Sequence, residues 1–128
     1  MMALALDDEE DARQLIATIL RGAGAEVRTA SSVDEALREL EAAPTDVLLA
    51  DLAMPGADGY ALIREVRRRG AQTGHHLLTA AITAYTSTLD RARVLEAGFD
   101  RHVSKPITPD AVLEAVVSIW RRDTGTTP

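Results

Sequence analysis

Short apolar segments alternate with amphipathic segments along the whole chain, and this alternation limits the possible folds more than any other feature. The apolar runs predict five strands, at Met2–Leu6, Glu26–Ala30, Val47–Ala50, Leu77–Thr83 and His102–Ser104. Apolar runs of this length are typical of parallel strands that are covered on both faces. Strands that alternate with helices at this pitch are joined by right-handed crossovers, so the pattern predicts an open α/β sheet.

The segments between the predicted strands carry the spacing and the end signals of helices. Apolar residues from Ala12 to Leu20 form one stripe at helical spacing, and Gly22 ends it. Ser32 and Glu35 form a capping-box pattern at the start of the second helix. The other predicted limits are Gly70 at the end of the third helix, about Leu89 to Ala97 for the fourth, and Thr108 as N-cap with Pro109 as the first residue of the fifth.

Five strands and five helices in alternation predict one doubly wound parallel sheet with strand order 2-1-3-4-5, the flavodoxin-like arrangement. A length of 128 residues fits a single domain, which we assign to residues 1–123, with a flexible tail at residues 124–128. In such a sheet the ligand crevice lies at the carboxyl ends of strands 1 and 3, where the winding reverses. The residues that follow the strands are therefore the candidate functional residues.

Composition and charge exclude several other classes of protein. The chain has no cysteine, which rules out structural disulfides and thiolate metal sites. Its net charge of −6 argues against a general nucleic-acid or anionic-membrane surface. Because no apolar run approaches the roughly 20 residues of a membrane span, we expect no membrane insertion and a cytoplasmic location. Thirteen arginines accompany a single lysine, Lys105, which singles out that position.

Three carboxylates, one hydroxyl and the only lysine lie at the ends of the predicted strands. They are Asp7 and Asp8 after strand 1, Asp51 after strand 3, Thr83 at the end of strand 4, and Lys105 after strand 5. Carboxylates a few ångströms apart repel unless one is protonated or a cation lies between them. Oxygen ligands with open positions suit Mg²⁺, and a metal-bound phosphate beside a carboxylate nucleophile indicates aspartyl-phosphate chemistry. Each residue alone is more often a surface, capping or strand residue, so the joint placement carries the prediction.

The residues at the strand ends occur within four longer motifs. The motifs are Leu6-Asp7-Asp8-Glu9, Leu49-Ala50-Asp51-Leu52-Ala53-Met54-Pro55-Gly56-Ala57-Asp58-Gly59, Ile82-Thr83-Ala84 and Ser104-Lys105-Pro106. In this order and spacing they closely resemble the receiver domain of two-component response regulators, and the resemblance covers essentially the whole chain. The segment 97–106 is most similar to receivers that are attached to hybrid sensor histidine kinases. The resemblance implies a phosphorylation-dependent signalling module of a two-component phosphorelay.

The resemblance also implies which residues bind the phosphoryl group and the metal. Asp51 would accept the phosphoryl group from a phosphohistidine of a partner protein. Asp8 and Asp51 would bind Mg²⁺ directly, together with the backbone carbonyl of Ala53, whereas Asp7 would act mainly through water. Mg²⁺ is the one cofactor that we expect.

Residues of the last two strands would respond to the phosphoryl group, again by resemblance. Thr83 and Lys105 would contact the phosphoryl oxygens, and a cis peptide bond before Pro106 would direct Lys105 inward. The aromatic switch position of the family is occupied by His102, whose imidazole would add pH sensitivity. The readout surface would be the face formed by the fourth helix, the fifth strand and the fifth helix, with the side chains of Arg91, Arg93 and Trp120.

The expected partner is a histidine kinase or a phosphotransfer protein, with a homodimer through the readout surface as a further expectation and no direct contact with nucleic acid. We expect a phosphoacceptor with at most slow autodephosphorylation, and therefore not an enzyme. An alternative is a small aspartyl-phosphate phosphohydrolase, but that class resembles a strand-end Asp-x-Asp and the second position here is Ala53. A second alternative is a dinucleotide or nucleotide binder, but this chain lacks the glycine-rich motifs of those classes. A further alternative is a receiver-like interaction module that is never phosphorylated, but the joint presence of Asp8, Asp51, Thr83 and Lys105 argues against it.

Overall fold

The fold is a parallel β-sheet with helices on both faces, and the computed structural model describes residues 1–52, 59–74, 76–84 and 88–124. Within these ranges the strands are β1 (Met2–Leu6), β2 (Glu26–Ala30), β3 (Val47–Asp51), β4 (Leu78–Thr83) and β5 (Arg101–Ser104). The helices are α1 (Glu10–Gly22), α2 (Val33–Ala42), α3 (Gly59–Thr73), α4 (Thr88–Ala97) and α5 (Pro109–Thr124). Strands and helices alternate as predicted.

The strand order is β2-β1-β3-β4-β5, and all neighbouring strands are parallel, which confirms the predicted topology. The register aligns the carboxyl ends of the strands. Leu6 lies opposite Ala50, and the next residue of β3, Asp51, lies opposite Ile82. Thr83 in turn lies opposite Ser104. The residues that follow these positions therefore meet at one edge of the sheet.

The core consists of two apolar layers, one on each face of the sheet. Alternate residues of a strand point to opposite faces. Ala3, Ala5 and Leu49 pack toward the helices α1 and α5, whereas Leu4 and Leu48 pack toward α2, α3 and α4. Each layer includes the buried residues of the helices that cover it: Ile16, Leu20, Val112 and Val116 on the first face and Ala36, Leu62, Ile63 and Val94 on the second.

The first strand forms although its sequence Met-Ala-Leu-Ala-Leu has a low intrinsic preference for strands. All four residues from Ala3 to Leu6 are completely buried between β2 and β3. The N–H of Met2 also donates to Asp46 Oδ2 at 2.8 Å, which fixes the start of the strand beside β3. Burial and pairing with two neighbours therefore decide the conformation of this segment.

The predicted capping residues lie at the starts of their helices. Ser32 precedes α2, and its hydroxyl accepts a hydrogen bond from the Glu35 N–H at 3.1 Å. The Glu35 carboxylate accepts from the Ser31 hydroxyl at 3.0 Å, so a neighbouring side chain takes the reciprocal half of the predicted box. Thr108 Oγ1 accepts from the Ala111 N–H at 3.2 Å and caps α5 as predicted.

The third helix is longer than the sequence pattern predicts. We placed its end at Gly70, but α3 continues to Thr73. The N–H of Gly74 donates to the Gly70 carbonyl at 2.8 Å, and Gly74 has a φ of +76°, in the left-handed region that ends helices. Gly70 is thus an internal residue of the last turn, and Gly74 ends the helix.

The fifth helix reaches Thr124, which we had assigned to the tail, and residues 125–128 lie outside the described residues. Among the described residues, no helix is long and apolar enough to cross a membrane.

Candidate functional site

Three carboxylates meet at the carboxyl edge of the sheet, where β1 and β3 end. Asp7 and Asp8 directly follow β1, and Asp51 is the last residue of β3. One oxygen of each carboxylate lies within 4.8 Å of the others. Asp7 is fully buried and Asp51 is 3% exposed, whereas Asp8 is exposed to solvent. The structure therefore brings together the three acidic residues that the sequence predicted.

Asp7 is held by its neighbours at both its main chain and its side chain. Its N–H donates to the Ala30 carbonyl at 3.1 Å, and its Oδ1 accepts from the Glu9 N–H at 2.9 Å. Its Oδ2 is buried and has no hydrogen-bond partner among the described residues. Burial raises the pKa of Asp7, and the nearby charges of Asp51 and Asp8 raise it further. The folded chain thus keeps an acid under electrostatic strain at this position.

A main-chain contact at the β1–α1 junction was not predicted from the sequence. Arg13, at the start of the second turn of α1, donates from Nη1 to the Asp7 carbonyl oxygen at 2.9 Å. It is the only basic residue among the first twenty, and it follows a run of five acids. That isolation is the one sequence signal that could have marked it.

Lys105 extends from the end of β5 to the acidic cluster. Its Nζ lies 3.1 Å from Asp51 Oδ2, and its side chain is 31% exposed. Its backbone N–H donates to the Thr83 carbonyl at 2.9 Å, which continues the pairing of β4 with β5. The peptide bond between Lys105 and Pro106 is cis, as the family resemblance implied.

Thr83 is the last residue of β4 and is almost completely buried beside this edge. On the adjacent strand β3, the Leu52 N–H donates to the Ile82 carbonyl at 3.0 Å, so β3 and β4 remain paired past Asp51. The predicted carbonyl ligand Ala53 lies outside the described residues. Two strand ends therefore place Asp51 and Thr83 side by side, and Lys105 joins them from the third.

The described donors fit a hard divalent cation such as Mg²⁺. All three acids offer carboxylate oxygens, which Mg²⁺ prefers, and one of them is the unpartnered buried Oδ2 of Asp7. Three carboxylates at this spacing repel one another, and a cation relieves that repulsion. Lys105 supplies one positive charge on the side of Asp51. Asp8, which is exposed, lies at the solvent-accessible side of the cluster.

His102, the predicted switch residue, lies on β5 outside the acidic cluster. It is half-buried, and its ring Nε2 lies 3.3 Å from Ser104 Oγ, two residues further along the strand. A role in switching stays a prediction. Arg93 of the predicted readout surface is exposed on α4, but the side chains of Arg91 and Trp120 lie outside the described residues.

A second polar cluster, absent from the sequence predictions, lies at the opposite end of the sheet. Arg67 of α3 donates to the Gly98 carbonyl, to the Leu77 carbonyl and to Thr79 Oγ1 at 2.6–2.9 Å. It also pairs with Asp100 Oδ2 at 3.0 Å. The other oxygen of Asp100 lies 3.0 Å from His76 Nε2. This cluster joins α3, β4 and the loop before β5, and it is remote from the carboxyl edge.

A doubly wound five-stranded sheet that collects acidic residues, a threonine and a lysine at one edge defines a receiver-type signalling domain. The chain belongs to the response regulator receiver domain family, whose model matches residues 3–117. An uncharacterized 14.6 kDa protein of Leptolyngbya boryana is 37% identical over 116 residues, which are 91% of this chain and 87% of that protein. This relative has nearly the length of the present chain.

Longer relatives contain the same domain as one part. The sensor histidine kinase RcsC of Salmonella typhi is 35% identical over 116 residues, and the match covers 91% of this chain but 12% of the kinase. Among solved structures, the receiver domain of the Francisella response regulator 1452 matches with a TM-score of 0.85 at 25% identity, over 96% of this chain and 98% of that one. The resemblance to response regulator receivers, including those of sensor kinases, is thus confirmed.

Proposed function

We propose that this receiver accepts a phosphoryl group on Asp51 in a Mg²⁺-dependent reaction and changes conformation as a result. The observation that carries the proposal is the ion pair between the buried Asp51 and Lys105. Asp51 is 3% exposed, and Lys105 Nζ lies 3.1 Å from its Oδ2. The cluster of Asp7, Asp8 and Asp51 supplies the oxygen donors that a divalent cation needs.

The donor that we propose is a phosphohistidine of a histidine kinase or a phosphotransfer protein. A carboxylate oxygen of Asp51 attacks the phosphorus, an O–P bond forms, and the N–P bond to the imidazole breaks. The imidazole keeps the electron pair of that bond and takes up a proton. Bound Mg²⁺ would neutralise the charge that gathers on the acceptor and on the transferring group. Asp8 and Asp51 would hold the Mg²⁺, and Lys105 would bind one oxygen of the phosphoryl group.

The conformational response follows from where the phosphoryl group would stand. Phosphorylation adds charge beside the ends of β4 and β5, and only some arrangements of the following loops let Thr83 and Lys105 satisfy it. The modification then shifts an existing equilibrium, by no more than the difference in contacts between the two states. The face of α4, β5 and α5 is the proposed readout surface, and a homodimer through it stays a prediction.

We further propose that the chain acts as a signalling acceptor and not as an enzyme that turns over a substrate. The position two residues after the acceptor is Ala53, so the second acid of a phosphohydrolase is missing from the sequence. The cytoplasmic location also stays a prediction.

Intact-mass spectrometry after incubation with Mg²⁺ and acetyl phosphate tests the proposal. We expect the wild-type chain to gain one phosphoryl group and Asp51→Asn to gain none. Asp11→Asn is the control, because it makes the same acid-to-amide change at an exposed aspartate of α1 that lies outside the cluster of three carboxylates, and it should be labelled like wild type. Asp8→Ala should lose labelling at ordinary Mg²⁺ concentrations. Equal labelling of wild type and Asp51→Asn would contradict the assignment of the acceptor.

A further inference from the structure

The acidic cluster depends on how the chain leaves β1, because two of its three carboxylates lie on consecutive residues there. The peptide group that joins Asp7 to Asp8 sets the direction of the Asp8 side chain relative to Asp51. Its carbonyl oxygen belongs to Asp7 and accepts a hydrogen bond from Arg13 Nη1 at 2.9 Å. No described residue donates a hydrogen bond to the Asp8 carboxylate itself, which is exposed. Arg13 therefore holds the peptide group between Asp7 and Asp8, whereas no described residue holds the Asp8 carboxylate directly.

The position of Arg13 works against helix stability. Its N–H donates to the Glu9 carbonyl at 3.0 Å in the first turn of hydrogen bonds of α1. A cation near the N-terminus of a helix opposes the helix dipole, which favours acids there such as Glu10 and Asp11. The guanidinium is half-buried and reaches back over the helix end to the strand. The hydrogen bond to the Asp7 carbonyl is therefore the favourable interaction that Arg13 makes at a position where its charge opposes the helix dipole.

We propose that Arg13 is a positioning residue for the Mg²⁺ site: its hydrogen bond to the Asp7 carbonyl fixes the Asp7–Asp8 peptide so that both carboxylates face Asp51. The inference rests on the proposed function. A group that orients a metal ligand is commonly worth a factor of 10 to 100 in metal affinity.

Charge and positioning predict opposite effects, so they can be separated. If Arg13 acted only as a nearby positive charge, it would repel the cation, and its removal would strengthen Mg²⁺ binding. If it orients the ligands, its removal weakens binding. Arg13→Lys keeps the charge but replaces the planar fork with a shorter, rotating ammonium, so it restores the charge and not the geometry.

The experiment is a Mg²⁺ titration of the full chain, without a phosphodonor, followed by isothermal calorimetry and by the amide shifts of Asp8 and Glu9. We expect the Kd for Mg²⁺ to rise about 10-fold in Arg13→Met and to rise in Arg13→Lys as well. Arg21→Met is the matched control, because Arg21 lies on the same helix and donates to the Val27 carbonyl at 3.0 Å, remote from the site. It should bind Mg²⁺ like wild type. Far-UV circular dichroism verifies that each variant is folded. If Arg13→Met does not fold, Arg13→Gln replaces it in the titration, with the same expected rise in Kd.

Unchanged or tighter Mg²⁺ binding in the Arg13 variants, with wild type binding normally, would overturn the positioning role and leave the proposed function intact. An equal loss in Arg21→Met would also overturn it, because the effect would then belong to helix stability. Failure of wild type to bind Mg²⁺ would overturn the proposed function together with this inference. The two failures are therefore distinguishable in one set of titrations.

Discussion

Asp7 shows at the scale of a single residue how the site opposes stability. Its side chain is fully buried, one oxygen lacks a described partner, and two other acids lie close by. Burial raises the pKa of Asp7, so the charged form makes the folded state less stable near neutral pH. The destabilisation disappears as the pH falls through the raised pKa of the folded state, because the folded chain then takes up the proton. A cation bound at the cluster would stabilise the charged form of Asp7 and offset this destabilisation.

Asp7→Asn is accordingly expected to stabilise the domain without Mg²⁺. The amide has nearly the same shape and carries no charge, so the free energy of unfolding near neutral pH should rise by about 1 kcal/mol, which is within the range of single stabilising substitutions. Urea unfolding of both proteins, near neutral pH and at acid pH, measures the difference, which should shrink as the pH falls. A variant less stable than wild type near neutral pH would contradict the assignment of strain to this carboxylate.

Lys105 provides a second test at this scale, because it is the only lysine among fourteen basic residues. Arginine keeps the charge but replaces a compact ammonium with a wider planar group. We expect Lys105→Arg to accept a phosphoryl group on Asp51 and to fail in the conformational change. Amide shifts around Thr83 and His102, with and without the phosphoryl mimic beryllofluoride, follow that change. Full wild-type shifts in the arginine variant would show that Lys105 does not couple phosphorylation to the switch.

Arg67 and Asp100 connect three elements at the end of the sheet opposite the site. Burial raises the pKa of Asp100, but its hydrogen bonds to His76 and the Thr79 N–H and the charge of Arg67 outweigh this, so its pKa is lowered overall. A lowered pKa means that ionised Asp100 stabilises the fold above the ordinary aspartate pKa of 3.8. That contribution is lost as the pH falls through the pKa of the folded state.

Asp100→Asn should therefore destabilise the domain by about 2 kcal/mol near neutral pH, since hydrogen bonds to a charged partner are lost. The two proteins should converge in stability well below the ordinary aspartate pKa. Asp34→Asn, on the exposed first turn of α2, is the control and should change stability by only about 0.5 kcal/mol. Denaturant unfolding at several pH values gives both quantities. A difference that is constant with pH would contradict the ionic role of Asp100.

Two glycines at helix ends test the observed limit of α3. In both Gly22 and Gly74 an added Cβ would meet nothing within 4 Å, but Gly74 has a φ of +76°. Gly74→Ala should destabilise by about 1 kcal/mol, because an L-residue is strained in that conformation. Gly22→Ala, in the last turn of α1, should be neutral or stabilising by up to about 1 kcal/mol. Thermal unfolding compares the two, and equal effects would contradict the assignment of Gly74 as the end of α3.

At the scale of the whole molecule, the sequence predicted the topology and the meeting of most candidate site residues at one edge of the sheet. A parallel sheet brings the carboxyl ends of its strands to one edge, so residues that follow buried runs had to meet there, as Asp7, Asp51 and Lys105 do. Alternation of strands and helices predicted a doubly wound sheet, and the most frequent order of a five-stranded sheet of this kind is the order observed. These features depend on periodicity and on strand ends, which a sequence displays directly.

The features that the sequence did not predict are two contacts of long arginine side chains and the end of one helix. Arg67 and Asp100 are 33 positions apart, and neither has a local pattern that indicates the other. Arg13 contacts a main-chain oxygen, and every residue has one, so the sequence contains no partner residue type that would indicate this contact. The end of α3 was misplaced because two glycines four residues apart offer the same signal, and only the φ of Gly74 distinguishes them.

The central claim is that Asp51 carries the phosphoryl group, and reductive trapping tests it most directly. Borohydride converts an aspartyl phosphate to homoserine, and peptide mass spectrometry then locates the modified position. After incubation with acetyl phosphate and Mg²⁺, we predict homoserine at position 51 of the wild-type chain, and none when Mg²⁺ is removed by a chelator. Modification at Asp7 or Asp8, or labelling that does not depend on Mg²⁺, would contradict the account.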